Sequence, residues 1–139
     1  MKWKLSKTFY FEAAHRLVKG YIGGCKHIHG HSWKMQVVIQ SDDLFEYDFV
    51  LDYKELKKIV QPIVDELDHS FLVYKKDYLI LDFLKTNDFR HIIFDDNPTS
   101  EVIAKWVFDI INIELPMGCQ LAEVIINETI NSQCQYGII

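Results

Sequence analysis

Two alternating runs near the start of the chain predict a pair of adjacent strands. Apolar side chains recur at odd positions through residues 3–15, and odd positions again carry Trp33, Met35, Val37 and Ile39 in the second run. A period of two is the signature of a strand with one buried face. We expect Trp3 to His15 to pair antiparallel with a strand that begins near His29 and continues to Gln40. The connection between them is too long for a tight turn.

Two amphipathic helices are predicted in the rest of the chain. Asp52 and Glu55 form a start resembling a capping box, and apolar residues then recur at spacings of three and four through residues 56–67. The second helix begins in residues 97–99, where a proline suits the first turn, and ends before Pro116. Each helix has one apolar face for burial against a sheet.

The remaining segments give weaker patterns. Residues 78–85 indicate a short helix and residues 91–94 a short strand, while a final strand spans residues 121–130 and a short edge piece follows in residues 135–139. In the final strand one face carries Ala122, Val124, Ile126 and Ile130. The pattern therefore predicts an α+β fold, with a four-stranded antiparallel sheet and two helices on one of its faces.

Length, composition and charge narrow the class of protein. A chain of 139 residues that is 49% hydrophobic suits a single domain over residues 1–139. The net charge of -5 and the lack of a basic run argue against a nucleic-acid partner. No apolar run reaches membrane-spanning length and the first residues do not resemble a leader, so we expect a cytoplasmic protein without a membrane partner. Three cysteines indicate free thiols rather than a disulfide framework.

Three histidines form the strongest chemical signal. His29 and His31 share a strand face because Gly30 separates them, and His15 continues the apolar face of the first strand. Pairing the two strands brings all three imidazoles to one side of the sheet. Three protein ligands with a fourth position open describe a catalytic zinc site, whereas structural zinc sites are closed by four ligands. Each histidine alone would be read as a polar loop residue.

Cys25 lies close to these histidines in sequence, and three readings of it stay open. A neighbouring zinc ion favours the thiolate form, which suits a base or a nucleophile. Cys25 would otherwise be a fourth ligand that closes a structural site, or an inert loop thiol.

Other polar residues also have two readings each. Asp68 and His69 come where the first helix ends, as a helix-ending acid and a surface imidazole often do. Thr99 and Glu101 stand at a helix start, where hydroxyls and acids serve as caps. Glu128 shares the apolar phase of the final strand, so it requires hydrogen-bond donors or a salt bridge to Lys or Arg.

Five short motifs occur in order along nearly the whole chain: Phe11-Glu12-Ala13-Ala14-His15, Cys25-x-x-x-His29-Gly30-His31, Leu67-Asp68-His69, Asn97-Pro98-Thr99-Ser100-Glu101 and Asn127-Glu128-Thr129. Together they resemble the 6-pyruvoyl-tetrahydropterin and 6-carboxy-tetrahydropterin synthase family. The resemblance implies the tunnelling fold (T-fold), in which subunits join sheet edges into a barrel and usually form a homo-hexamer from two trimers. The stretch from Tyr74 to Asp96 is longer than in compact members of the family.

The resemblance also implies roles for the residues. Zn²⁺ would be held by His15, His29 and His31, Cys25 would be a general base, and Asp68 and His69 would relay a proton. Glu128 would anchor the pterin through its N3–H and 2-amino donors, which are spaced for a bidentate contact. Thr99 and Glu101 would help to hold the same ligand.

The implied reaction converts 7,8-dihydroneopterin triphosphate to 6-carboxy-5,6,7,8-tetrahydropterin with release of triphosphate and acetaldehyde, the branch that leads to queuosine and other deazapurines. One alternative is a 6-pyruvoyl-tetrahydropterin synthase of the tetrahydrobiopterin pathway. A second alternative, of another class, is a non-catalytic zinc- or pterin-binding module on the same fold.

Overall fold

A computed structural model describes residues 1–138 and contains one six-stranded mixed sheet with three helices. The strands are β1 (Trp3–His15), β2 (His29–Ser41), β3 (Ser70–Tyr74), β4 (His91–Phe94), β5 (Gln120–Thr129) and β6 (Ser132–Gly137). The helices are α1 (Tyr53–Leu67), α2 (Tyr78–Thr86) and α3 (Ser100–Asn112). The strand order across the sheet is β4-β3-β1-β2-β5-β6. No helix within residues 1–138 has both the length and the apolar character needed to cross a membrane.

The predicted pairing of the first two strands is confirmed. β1 and β2 are antiparallel over their full length, with Trp3 opposite Ser41 and His15 opposite His29. Odd positions of both strands face the main core, which α1 and α3 cover. Trp33 and Met35 are fully buried at its centre.

The prediction of four antiparallel strands is wrong, because the sheet has six strands and two of them are parallel to β1. β3 pairs with β1, and β4 pairs with β3, in the parallel sense. Four of the five residues of β3 are buried, so its sequence is a continuous apolar run without the alternation that reveals a half-exposed strand. The crossover that parallel strands require is supplied by α2.

The expectation of two helices on one face also needs correction. The weak helix and strand patterns at residues 78–85 and 91–94 are confirmed as α2 and β4. α2 packs apart from the main core, in a second cluster formed by Val73, Ile80 and Leu84. Val73 alternates with the core-facing Leu72, so its side chain points to the other face of the sheet. α2 therefore lies on this second face, opposite α1 and α3.

The final strand ends earlier than its pattern predicted and contains a bulge that the pattern did not reveal. The β2–β5 register shifts between Val38 and Ile39, so Leu121 faces the main core while Ala122 joins Val38 on the other face. Ile130 follows the strand and is 96% exposed. The bulge places Ala122 on the other face, whereas Ile130 is exposed because the strand ends at Thr129.

Candidate active site

Three imidazoles converge where β1 ends and β2 begins. His15 and His29 are directly opposite each other in the antiparallel register, and His31 lies two residues along the same face. One ring nitrogen from each lies within 4.8 Å of the other two. Within residues 1–138, these three side chains form the group that is close enough to share one ion.

Main-chain carbonyls orient two of the rings. Nδ1 of His15 lies 2.7 Å from the Pro98 carbonyl oxygen, and Nδ1 of His29 lies 2.7 Å from that of His27. A carbonyl can only accept, so each Nδ1 must carry the proton, and the lone pair is left on Nε2. Metal-binding histidines in proteins are held in this way.

The free nitrogens are buried without hydrogen bonds. Nε2 of His15 and Nε2 of His31 have no hydrogen-bond partner among the described residues. Burial is the main cause that lowers the pKa of both imidazoles below the ordinary value of 6.5, although the Pro98 carbonyl raises that of His15. Neutral imidazoles with unpartnered lone pairs are the form that binds a metal, and an N₃ donor set suits Zn²⁺.

Trp33 forms a rigid floor under the cluster. Its ring meets His15 and His31 edge-on, at centroid distances of 5.2 and 5.3 Å. The indole Nε1 donates to the Ala13 carbonyl at 3.1 Å, and the ring stacks on Phe11. The imidazoles therefore rest against side chains that have no room to move.

Glu128 points at the same cluster. One of its carboxylate oxygens lies 3.3 Å from Nε2 of His15 and 3.6 Å from Nε2 of His31. The β5–β6 register is irregular between Asn127 and Thr129, but Glu128 keeps the phase of the core-facing Val124 and Ile126, as the sequence predicted. Among the described residues, its carboxylate lies beside these two imidazoles, and no Lys or Arg forms the salt bridge that a purely structural role would require.

Cys25 lies in the loop between the two histidine strands. It is exposed, in a single 3₁₀ turn at Gly24–Lys26, and lies outside the group that could share an ion. The Leu17 amide donates to its carbonyl oxygen at 2.8 Å. This placement does not favour Cys25 as a fourth ligand. Its role as a base beside the histidine cluster stays a prediction.

Asn97 is a supporting residue that sequence reasoning missed. Its Oδ1 accepts from the Val18 amide at 2.9 Å, while its Nδ2 donates to the Val18 carbonyl at 3.3 Å. Residues 97–98 therefore hold both the loop of Cys25 and the ring of His15. The available signal in the sequence was an asparagine before a proline at a helix start. That signal does not identify Val18 as the residue that Asn97 would bond.

Asp68 and His69 form a pair at the end of α1. His69 Nδ1 lies 2.9 Å from one Asp68 carboxylate oxygen, and the other oxygen accepts from the Glu12 amide at 2.8 Å. The Glu12 amide is the main cause that holds the pKa of Asp68 below its ordinary value of 3.8, followed by the bond to His69. His69 has a left-handed φ of 60°, and its amide donates to the Glu12 carbonyl.

Within one chain, this pair lies outside the group of three histidines that could share an ion. The His69 side chain is 75% exposed and lines a cavity of about 710 Å³, whose lining also includes Glu12, His31, Ser32 and Arg90. Glu12 and Ser32 alternate with core-facing residues, so this cavity opens on the second face of the sheet. The histidine cluster lies on the core face.

Thr99 and Glu101 have local roles in the structure. The Thr99 hydroxyl caps α3 by accepting from the Val102 amide at 3.2 Å. Glu101 is exposed, accepts from the Ser100 hydroxyl at 2.9 Å, and borders a separate cavity of about 580 Å³. Their binding of a ligand stays a prediction.

Arg16 and Asp77 form a further pair that the sequence did not reveal. Two guanidinium nitrogens of Arg16 donate to the two carboxylate oxygens of Asp77 at 2.7 and 2.6 Å. The Asp77 side chain is 4% exposed and caps α2. The pair links the end of β1, beside His15, to the start of the helix on the other face.

The curled mixed sheet, with three histidines at its strand ends, has the fold of the T-fold proteins. The chain belongs to the 6-pyruvoyl tetrahydropterin synthase family, which matches residues 4–138.

Individual relatives cover almost the same length. The chain is 30% identical to the 6-carboxy-5,6,7,8-tetrahydropterin synthase of Aquifex aeolicus, with 98% of each chain covered. It is 34% identical to the enzyme of the same name from Synechocystis sp., over 96% of this chain and 92% of that one. The structure of Caenorhabditis elegans 6-pyruvoyl tetrahydropterin synthase superposes with a TM-score of 0.73 at 23% identity, covering 100% of this chain and 97% of that one.

Proposed function

We propose that this protein is a zinc-dependent 6-carboxy-5,6,7,8-tetrahydropterin synthase acting on 7,8-dihydroneopterin triphosphate, with triphosphate and acetaldehyde released. The observation that carries the proposal is the convergence of three imidazoles, two of them with buried and unpartnered Nε2 atoms. The two bacterial relatives named above support the carboxy product. The product would then enter the synthesis of queuosine and related deazapurines.

His15, His29 and His31 would hold the metal, each through one ring nitrogen. Bound Zn²⁺ supplies a Lewis acid that polarises the oxygens of the substrate side chain and acidifies the adjacent carbon-bound protons. The protein fixes the rings in advance through the carbonyls of Pro98 and His27.

Cys25, Asp68 and His69 would move the protons. Cys25 is exposed in the loop between the histidine strands, where it would act as the general base. In the pair, ionised Asp68 orients the imidazole through Nδ1 and leaves Nε2 to exchange a proton with Cys25 or the substrate. Because His69 lies on the other face of its own sheet, the pair would come from a second copy of the chain in a homo-hexamer.

Glu128 would anchor the pterin ring. Its carboxylate has no cation to neutralise it among the described residues and lies at the rim of the histidine cluster. A pterin offers two adjacent N–H donors, which match the two carboxylate oxygens. Thr99 and Glu101 would help to hold the same ligand, once the local bonds they make in the structure are exchanged.

Two alternatives remain open to experiment. A 6-pyruvoyl product is the first, but the likeness to the C. elegans enzyme lies below 25% identity and concerns the fold alone. A non-catalytic zinc- or pterin-binding module is the second. A thiol and an ordered carboxylate–imidazole pair favour catalysis, because binding alone requires neither.

The deciding experiment is to incubate the zinc-loaded protein with 7,8-dihydroneopterin triphosphate and identify the pterin and the aldehyde by mass spectrometry. We expect 6-carboxy-5,6,7,8-tetrahydropterin and acetaldehyde in equal amounts. A 6-pyruvoyl product without acetaldehyde would establish the first alternative, and zinc binding without turnover the second.

Three variants test whether His29 binds the metal and Cys25 acts only in turnover. His29→Ala should lose most of its zinc and all turnover, whereas Cys25→Ala should keep about one zinc per chain and lose turnover alone. His91→Ala is the matched control, since within the described residues the ring of His91 bonds only the Phe89 carbonyl. Full zinc occupancy in His29→Ala would reject the ligand assignment, and zinc loss in Cys25→Ala would make the thiol a ligand.

A further inference from the structure

The end of α1 carries both Asp68 and His69, and its carbonyl groups need partners. The last carbonyls of any helix have no hydrogen bond within the helix. Here the Val64 carbonyl accepts from the Asp68 amide at 2.8 Å, and the Glu66 carbonyl accepts from the Ser70 hydroxyl at 2.6 Å. The carbonyls of Asp65 and Asp68 must be satisfied from outside the helix.

Arg90 supplies these bonds from the loop before β4. Its Nη2 donates to the Asp65 carbonyl at 2.6 Å and to the Asp68 carbonyl at 3.1 Å, with the Glu66 carbonyl 3.4 Å away. A cation at this position also faces the negative end of the helix dipole. The Arg90 side chain therefore bonds the last turn of α1 at Asp65 and also the residue directly before His69.

The main chain of Arg90 is fixed to the next residues of the same turn. Its carbonyl accepts from the Phe71 amide at 3.0 Å, and the parallel pairing of Phe71 with His91 follows at once. Arg90 and His69 line the same cavity. The guanidinium is thus anchored beside the pair rather than reaching it from a free loop.

The turn needs such support because His69 is not a glycine. A φ of 60° places it in the left-handed region, which is unfavourable for a residue that has a side chain. The bond from the His69 amide to the Glu12 carbonyl holds one side of the turn. Arg90, which bonds the Asp68 carbonyl that directly precedes this amide, holds the other.

We propose that Arg90 is a positioning residue that keeps the Asp68–His69 pair in its proton-transfer geometry. The inference rests on the proposed function, in which this pair moves a proton. This role also explains what the segment between β3 and α3 contributes. The crossover through α2 returns the chain to the end of α1 and places Arg90 there. Arg90 also contributes, after Glu12 and His69, to holding the pKa of Asp68 below 3.8.

The test compares Arg90→Met, which removes the guanidinium but keeps an unbranched stem, with Arg90→Lys, which keeps a cationic donor. Lys85→Met is the matched control, because it removes a cation from the last turn of α2. We expect Arg90→Met to lower kcat about tenfold with KM changed less than about twofold, since the pair acts on the reacting proton and not on substrate binding. Arg90→Lys should recover at least about a third of kcat.

Stability separates positioning from folding. The melting temperature of Arg90→Met should stay within a few degrees of that of Lys85→Met. A kcat equal to that of the unmutated protein would overturn the proposal. So would a fall in kcat that accompanies a large loss of melting temperature and is not rescued by lysine.

A third readout does not depend on turnover. Hydrogen exchange of the His69 amide, measured by NMR, should be faster in Arg90→Met than in Lys85→Met, because the turn that presents this amide to the Glu12 carbonyl is loosened. If the unmutated protein converts no pterin, the proposed function fails, and this exchange rate alone decides the role of Arg90. Unchanged exchange would contradict it.

Discussion

Glu128 is the residue whose environment says most about its role. A half-buried carboxylate on an otherwise apolar strand face normally has a basic partner, yet the described residues offer it two neutral imidazoles. Neutral imidazoles do not offset the desolvation of a carboxylate as a cation would. The group is therefore better explained by a ligand with paired N–H donors than by the stability of the fold.

We expect Glu128→Gln to weaken pterin binding by about 2 to 4 kcal/mol, because the amide places a donor opposite the donors of the ligand. That loss corresponds to a rise in Kd of about 30-fold to 1,000-fold by titration. Glu123→Gln, on the same strand, is the control. Thermal unfolding of Glu128→Gln should be unchanged or slightly improved, since a partly buried charge is removed. An unaltered Kd would exclude the anchoring role.

At the scale of elements, the Arg16–Asp77 pair connects β1 to α2 across the sheet. Both carboxylate oxygens of Asp77 accept from Arg16, and the Asp77 side chain is almost completely buried. A buried charge that loses its partner is strongly destabilising, whereas an exposed pair contributes little. The pair therefore fixes how α2 sits relative to the strand end that carries His15.

Arg16→Met should lower the free energy of unfolding of the metal-free protein by about 3 kcal/mol, because Asp77 is left buried and unpaired. Adding Asp77→Asn should recover part of this loss. Lys105→Met breaks an exposed pair with Asp109 and should cost less than about 1 kcal/mol. Urea titrations of the unmutated protein and these three variants provide the comparison. Equal losses in Arg16→Met and Lys105→Met would show that the buried pair does not link the two elements.

At the scale of the whole molecule, the sheet has two edges, β4 and β6. Edge strands present unpaired main-chain groups that another chain can use, and Ile93 on β4 is 45% exposed. The separation of His69 from the histidine cluster gives a second reason for assembly. We expect light scattering to report six times the mass of the chain.

Subunit mixing tests whether two copies build one site. His29→Ala and His69→Ala proteins should each be inactive, but refolding an equal mixture should restore about a quarter of full activity. In that mixture about one neighbouring pair in four joins an intact histidine cluster to an intact His69. If every site were formed within a single chain, the mixture would stay inactive.

The sequence by itself determined the features that follow from local periodicity and spacing. Alternation specified β1, β2 and their pairing, and the i, i+2 placement of His29 and His31 opposite His15 specified the histidine cluster. The amphipathic spacing specified α1 and α3. These features depend on the phase of side chains within one or two elements, which the order of residues fixes directly.

Only the tertiary structure decided features that depend on partners distant in sequence. β3 and β4 pair in parallel through a crossover, and a strand buried on both faces carries no alternation to reveal it. A bulge between β2 and β5 inverted the phase at Ala122. The bonds from Arg90 to the end of α1, from Asn97 to Val18 and from Arg16 to Asp77 join residues that no periodicity relates. Their geometry arises only when the sheet and helices pack together.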